Sequence, residues 1–127
     1  MVLGALIVLI FAGCSDSPWA GPSPVPPDPV LIAQWARTIS LGGSLFDIGG
    51  GNYIGIEIDA AGNIIGISSD DGVNWTTGDT ITFFTECAAG DWATEDGYSG
   101  TYAVTGDDLT MVFFPPISTT CYYTIIP

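Results

Sequence analysis

Between Tyr53 and Ile58 the chain reads Tyr-Ile-Gly-Ile-Glu-Ile, a strict alternation that puts Ile54, Ile56 and Ile58 on one face and Glu57 on the other. A period of two is the pattern of a strand with one side buried, and no helix can satisfy it. Asp59-Ala60-Ala61-Gly62-Asn63 then supplies turn chemistry, and Ile64 to Ile67 resumes the apolar run, so the pair reads as a hairpin. The device recurs: Gly100 to Thr105 and Leu109 to Phe114 flank Gly106-Asp107-Asp108. Thr80 to Cys87 places Ile81, Phe83, Thr85 and Cys87 on one face, and Cys121 to Ile126 does the same for Cys121, Tyr123 and Ile125. Gln34 to Ser40 and Ser44 to Ile48 complete the set around Gly42-Gly43, while Pro29 to Ala36 offers room for only a short helix. Roughly seven to nine short strands joined by frequent turns predict an all-β fold, a small antiparallel meander closed as a barrel or packed as a sandwich.

Charge narrows the function. Fourteen Asp and Glu face a single cation, Arg37, with no Lys and no His. Such a chain cannot neutralise phosphates, which excludes nucleic acid as a partner, and anionic headgroups are repelled for the same reason. Without His or Lys, the usual base beside a Ser, Thr or Cys nucleophile is missing. A pair of carboxylates is the remaining catalytic device, with Glu57, Glu86 and Glu95 as its candidates, but most acids here stand in Asp-Gly turns, and the chain is read as non-catalytic. Gly49-Gly50-Gly51-Asn52 precedes a strand and lacks the Lys of a phosphate loop, so it reads as a turn. The clusters Asp70-Asp71, Asp91 to Asp96 and Asp107-Asp108 lack the one-three-five spacing and distal Glu of a calcium loop. They read as solvated turns, and neither metal nor cofactor is expected.

Val2 to Phe11 is an unbroken apolar or small run, too short to span a bilayer but suited to the hydrophobic region of a secretory signal. It closes on Phe11-Ala12-Gly13-Cys14, which resembles the lipobox of bacterial lipoproteins. The resemblance implies removal of residues 1–13, a lipid anchor on Cys14, and a place in the bacterial cell envelope; in a Gram-negative envelope, Ser15 after the cysteine favours the outer membrane. Ser15 to Pro29 carries six prolines in fifteen residues and reads as an extended spacer, reaching up to roughly 45 Å at about 3.1 Å per residue. Residues 30–127 are then the β domain. With Cys14 given to the lipid, Cys87 and Cys121 are an even pair in an oxidising compartment. A disulfide between them is expected, contributing roughly 3–4 kcal/mol in the chain-entropy model; two buried free thiols are the alternative.

Gly100-Thr101-Tyr102-x-Val104-x-Gly106-x-x-Leu109-Thr110 resembles a strand-turn-strand of bacterial lipocalin-like extracytoplasmic domains, and Trp35 sits where those domains carry a tryptophan at the base of the barrel. The resemblance implies topology rather than a particular ligand. Ser68-x-Asp70-x-Gly72-x-x-Trp75 is similar to the Asp-box of sialidase-like propellers, where the Asp side chain holds backbone donors above the Trp. The stretch from Ala88 to Tyr98 is the longest loop-like segment, and its Trp92 and Tyr98 beside carboxylates suit contact with a ligand or partner, or the covering of an open barrel end. The expected protein is thus an envelope lipoprotein whose partner is a small ligand or another envelope protein, or else a structural module with a filled core. Replacing Cys14 with Ser is expected to release the protein from membranes; equal membrane retention in a fractionation experiment overturns the anchor.

Overall fold

Residues 23–39 and 44–127 are described in a computed structural model of the protein. Nine strands follow in chain order: β1 Ala33–Thr38, β2 Asp47–Gly49, β3 Asn52–Ile58, β4 Asn63–Ser69, β5 Trp75–Ala88, β6 Asp91–Thr94, β7 Ser99–Thr105, β8 Asp108–Phe113 and β9 Thr119–Ile125. From β3 to β9 each strand pairs antiparallel with the next, as the hairpin signals at Asp59 to Asn63 and Gly106 to Asp108 require. β1 pairs with both β9 and β3, so eight strands close into a ring and β2 extends the sheet beside β3. Closure pairs the outer edges of β3 and β9, which would otherwise template pairing with other chains, and leaves only the three-residue β2 at the end of the sheet among the described residues. The all-β meander expected from the alternation is the observed fold.

The inward faces meet in one core. Trp35, Phe84, Leu31, Ile58 and Leu109 are its largest fully buried side chains. Leu31 reaches it from a 3-10 turn, Pro29–Leu31, which Asp28 starts by accepting a hydrogen bond from the Val30 N–H. The Trp35 indole N–H donates to the Leu31 carbonyl at 2.9 Å, tying the turn to β1 and closing the end of the ring at which β1 begins.

The packed unit reaches back past the boundary placed at Val30. Val25 N–H donates to the Phe84 carbonyl at 2.9 Å, Pro27 is buried, and the Tyr102 hydroxyl donates to Asp28 at 3.0 Å. Gly62, at φ +101°, admits this approach, since a Cβ there would lie 1.9 Å from the Val25 carbonyl oxygen. The last residues of the proline-rich stretch therefore dock on the barrel rather than hang free. Cys14, the leader and the earlier part of the spacer lie outside the described residues.

β5 departs from the face assigned to it. Ile64 and Ile65 stand opposite Thr82 and Thr80, which leaves Ile81 as an extra residue, and Phe84 and Glu86 stand opposite Thr94 and Ala93, which leaves Thr85 as another. Each such bulge interrupts the alternation and bends the strand. Thr82, Phe84 and Cys87 are therefore buried, while Ile81 is 61 % exposed. The segment from Ala88 to Tyr98 is likewise no open loop: a tight turn through Ala89 and Gly90, both at positive φ, leads straight into β6. Trp92 on β6 lies over Gly100 of β7, where a Cβ would stand 1.7 Å from the Val112 carbonyl oxygen and 3.0 Å from the indole.

The Asp-box-like turn between β4 and β5 is shifted by one residue. Asp71, not Asp70, accepts from the backbone N–H groups of Asn74 and Val73, from the Asn74 amide and from the Ser69 hydroxyl. Those four donors, led by the Asn74 N–H, hold the Asp71 carboxyl far below the ordinary carboxylate range. Because the folded value is depressed, the stabilisation is complete above the unfolded carboxyl pKa of about 4 and is lost as pH falls through the folded value. Asp71→Ala is accordingly expected to lower the melting temperature at pH 7 by a margin that shrinks as the pH drops below about 4. A margin that stays constant down to pH 2 in thermal melts contradicts this role.

Candidate functional site

Trp35 stands opposite Ile125, level with the start of β8, whereas Phe113 ends β8 at the other end of the ring. The Leu31 end is therefore plugged, and the opposite end is where the lining differs. There the inward side chains of Ile56, Ile64, Met111 and Tyr123 leave space between them rather than meeting. Thr82 and Thr94 contribute small hydroxyl side chains where larger apolar ones would fill the gap, and Ile81, the bulged residue, stands at the rim. Trp92 forms one wall, held edge-on to Phe113 with ring centroids 4.8 Å apart at 71°. The turn between β6 and β7 completes the enclosure with Asp96 and Tyr98. The resulting cavity measures about 240 Å³. An apolar cavity of about 150 Å³ suffices for benzene, and at protein packing density this one accommodates roughly nine or ten methylene-sized groups.

The polar groups around the mouth are largely acceptors. The Trp92 indole N–H is committed to the Thr101 carbonyl at 3.0 Å. Thr82 donates to Glu95 at 3.3 Å, and the Thr94 hydroxyl faces both Asp96 and the Tyr98 carbonyl, so the partners of both hydroxyls are acceptors. Burial pushes the Tyr123 phenol well above its ordinary value, with Cys121 adding to the effect and Arg37 opposing it, so this wall is neutral across the physiological range. Arg37 is absent from the lining. Its guanidinium stands 5.2 Å from the Phe46 ring centroid in a neighbouring groove, and its buried Nε has no hydrogen-bond partner among the described residues.

Trp92 and Tyr98, the two contact candidates, thus share one cavity, though not as a surface pair. Trp92 is 2 % exposed and belongs to the core, while Tyr98 is 39 % exposed at the rim. Of the inner wall, Ile56 was legible as an inward residue of its strand, whereas Met111 and Phe113 were not singled out. Leu109, Met111 and Phe113 alternate within β8 and were the available signal. The three candidate glutamates are not gathered in the cavity: Glu57 accepts from Gln34 between β1 and β3, Glu86 is exposed opposite Ala93, and Glu95 stands beside the mouth. Among the described residues no group of three or more Cys, Asp and Glu is disposed to hold a metal ion.

Cys87 and Cys121 both point into the core but are free thiols, and the expected bridge is not formed. The ring order explains it. β6, β7 and β8 separate β5 from β9 on one side, and β4, β3 and β1 separate them on the other. A round ring of eight strands about 4.8 Å apart is roughly 12 Å across, beyond the roughly 7 Å limit between Cα atoms of a disulfide. Burial also raises the Cys87 thiol pKa, which leaves little thiolate to react. Alkylation without reductant is expected to modify Cys87 and Cys121 slowly in the folded protein and completely in denaturant; unreactive sulfurs in denaturant, released only by a reductant, contradict the geometry.

Compared with protein-family models, with curated proteins and with solved structures, the chain matches none significantly.

Proposed function

We propose that this protein is a non-catalytic binding module of the bacterial cell envelope, tethered by a lipid on Cys14, whose barrel takes a small, largely apolar ligand through its open end. The observation that carries the reading is the cavity: one end of the ring is plugged by Leu31, while the other encloses about 240 Å³ behind Trp92, Met111 and Phe113. Concave apolar space with a few placed polar groups is the usual form of a small-molecule site. The tether is supported by the lipobox-like Phe11-Ala12-Gly13-Cys14 and the proline-rich spacer after it.

A second reading has its own observation. Ile81 and Tyr98 at the rim, with Phe114 and Ile117 in the connection between β8 and β9, expose large apolar side chains at the same end. Such a patch also suits contact with another protein. The unfilled interior behind it weighs toward a ligand that enters the barrel.

The test uses 1-octanol, a neutral probe sized to the cavity, with calorimetry and thermal melts on the purified chain. Octanol is expected to raise the melting temperature by mass action, and Ile81→Trp, which narrows the mouth from an exposed position, is expected to weaken binding by about tenfold or more, about 1.4 kcal/mol. Absence of saturable binding, or equal binding by Ile81→Trp, overturns the reading.

A further inference from the structure

We propose that the ligand is a hydrophobic amine, an alkyl- or arylalkylammonium whose chain fills the cavity and whose charged head rests at the mouth beside Asp96. This rests on the reading of the cavity as a ligand site and adds the chemistry of its occupant.

The argument starts from what lines the space. Four of its walls are aromatic: Trp92, Tyr98, Phe113 and Tyr123. Ring faces carry partial negative charge and attract an ammonium group, most strongly where water is excluded. Apart from the tyrosines, the one ionisable side chain in the lining is Asp96. Its Oδ1 accepts from Thr94, and no hydrogen bond among the described residues engages Oδ2. Glu95 is its neighbour in sequence and reaches Thr82, another lining residue. Two carboxylates therefore border the entrance, and the hydroxyls of Thr82 and Thr94 beside them are turned to acceptors.

The position of the chain's one cation agrees with this polarity. Arg37 lies on β1, and in the closed ring β1 and β6 are separated by three strands in either direction. The mouth is thus acidic on the β6 side, across the ring from Arg37, whose strand stands beside Tyr123 on the far wall. A carboxylate headgroup entering beside Tyr98 would meet two like charges, and a neutral hydroxyl would find acceptors but no charge to answer. An ammonium group satisfies both, donating to Asp96 Oδ2 while facing the rings. A net charge of −13 also raises the local concentration of cations around the protein, so the field of the whole molecule favours the same ligand class.

The experiment is a matched series on the full chain at neutral pH: octylammonium, 1-octanol and octanoate, each at low salt and in 1 M sodium chloride. Octylammonium is expected to bind about tenfold more tightly than octanol, and octanol more tightly than octanoate, with the amine's advantage shrinking in high salt as screening grows. Asp96→Asn, which keeps the acceptor for Thr94, is expected to bring amine and alcohol to equal affinity. Octanol binding as tightly as the amine in the unmodified protein overturns the amine while leaving the cavity reading in place. Tightest binding by octanoate overturns it in favour of Arg37 as the head-group partner. Binding by none of the three removes the cavity reading itself.

Discussion

The fold depends on β1 being held between two strands that the meander alone would leave apart. β3 to β9 form an open sheet by successive hairpins, and only the pairing of β1 with β9 on one side and β3 on the other converts it to a ring. That strand is fixed by Trp35, which is 1 % exposed and whose indole N–H is answered by the Leu31 carbonyl four residues earlier. The contact is local in sequence, so forming it costs little chain entropy, yet it brings Leu31 into the core and orients the strand that closes the barrel. Asp28 extends the arrangement by starting the 3-10 turn and accepting from Tyr102 on β7. Closure, plug and docked spacer are three consequences of one short segment.

The two ends of the barrel differ because its inward residues differ in size. Near the plug, Trp35, Leu31, Ile58 and Leu109 fill the cross-section. Toward the mouth, β5 and β6 contribute Thr82 and Thr94, and the Trp92 ring lies against its own neighbouring strand because Gly100 leaves room for it. Two such small side chains side by side on adjacent strands reach only a little way into a ring roughly 12 Å wide. The bulges in β5 contribute as well: they turn Phe84 and Cys87 into the core but carry Ile81 to the rim instead of across the gap. The cavity thus arises from the sizes and phases of the inward side chains.

Strand identity was legible where one face is buried and the ladder is regular, as in β3, β4 and β8, because alternation and turn chemistry then agree. It failed on β5, where a bulge shifts the inward set without any break in β-forming composition: Ile81-Thr82-Phe83-Phe84-Thr85 reads equally well in either phase. The same ambiguity assigned the Asp-box role to Asp70 in place of Asp71, because adjacent aspartates are chemically identical and only the backbone geometry at Gly72 distinguishes them. Cys87 and Cys121 illustrate a different limit. Their inward orientation was readable, but their separation depends on which strands neighbour which, a property of closure that no local pattern encodes. Trp92 and Tyr98 were found by residue type, and their common cavity followed from the pairing of β6 with β7.

An acidic chain with one cation cannot balance its charge by ion pairs, and the turns show how it is accommodated. Asp28, Asp47, Asp59 and Asp71 each direct carboxylate oxygens at backbone N–H groups within a few residues, at Val30, Gly49, Ala61 with Asn63, and Val73 with Asn74. Backbone dipoles answer these charges locally and fix the turn in the same contact. Glu95 and Asp96 depart from that pattern, since their recorded side-chain partners are the hydroxyls of Thr82 and Thr94 inside the mouth. A hydroxyl can rotate to another acceptor, whereas a turn N–H cannot leave its carboxylate without opening the turn. The mouth acids are therefore among those whose charge is not committed to holding a turn, and they are the ones that stand beside the cavity.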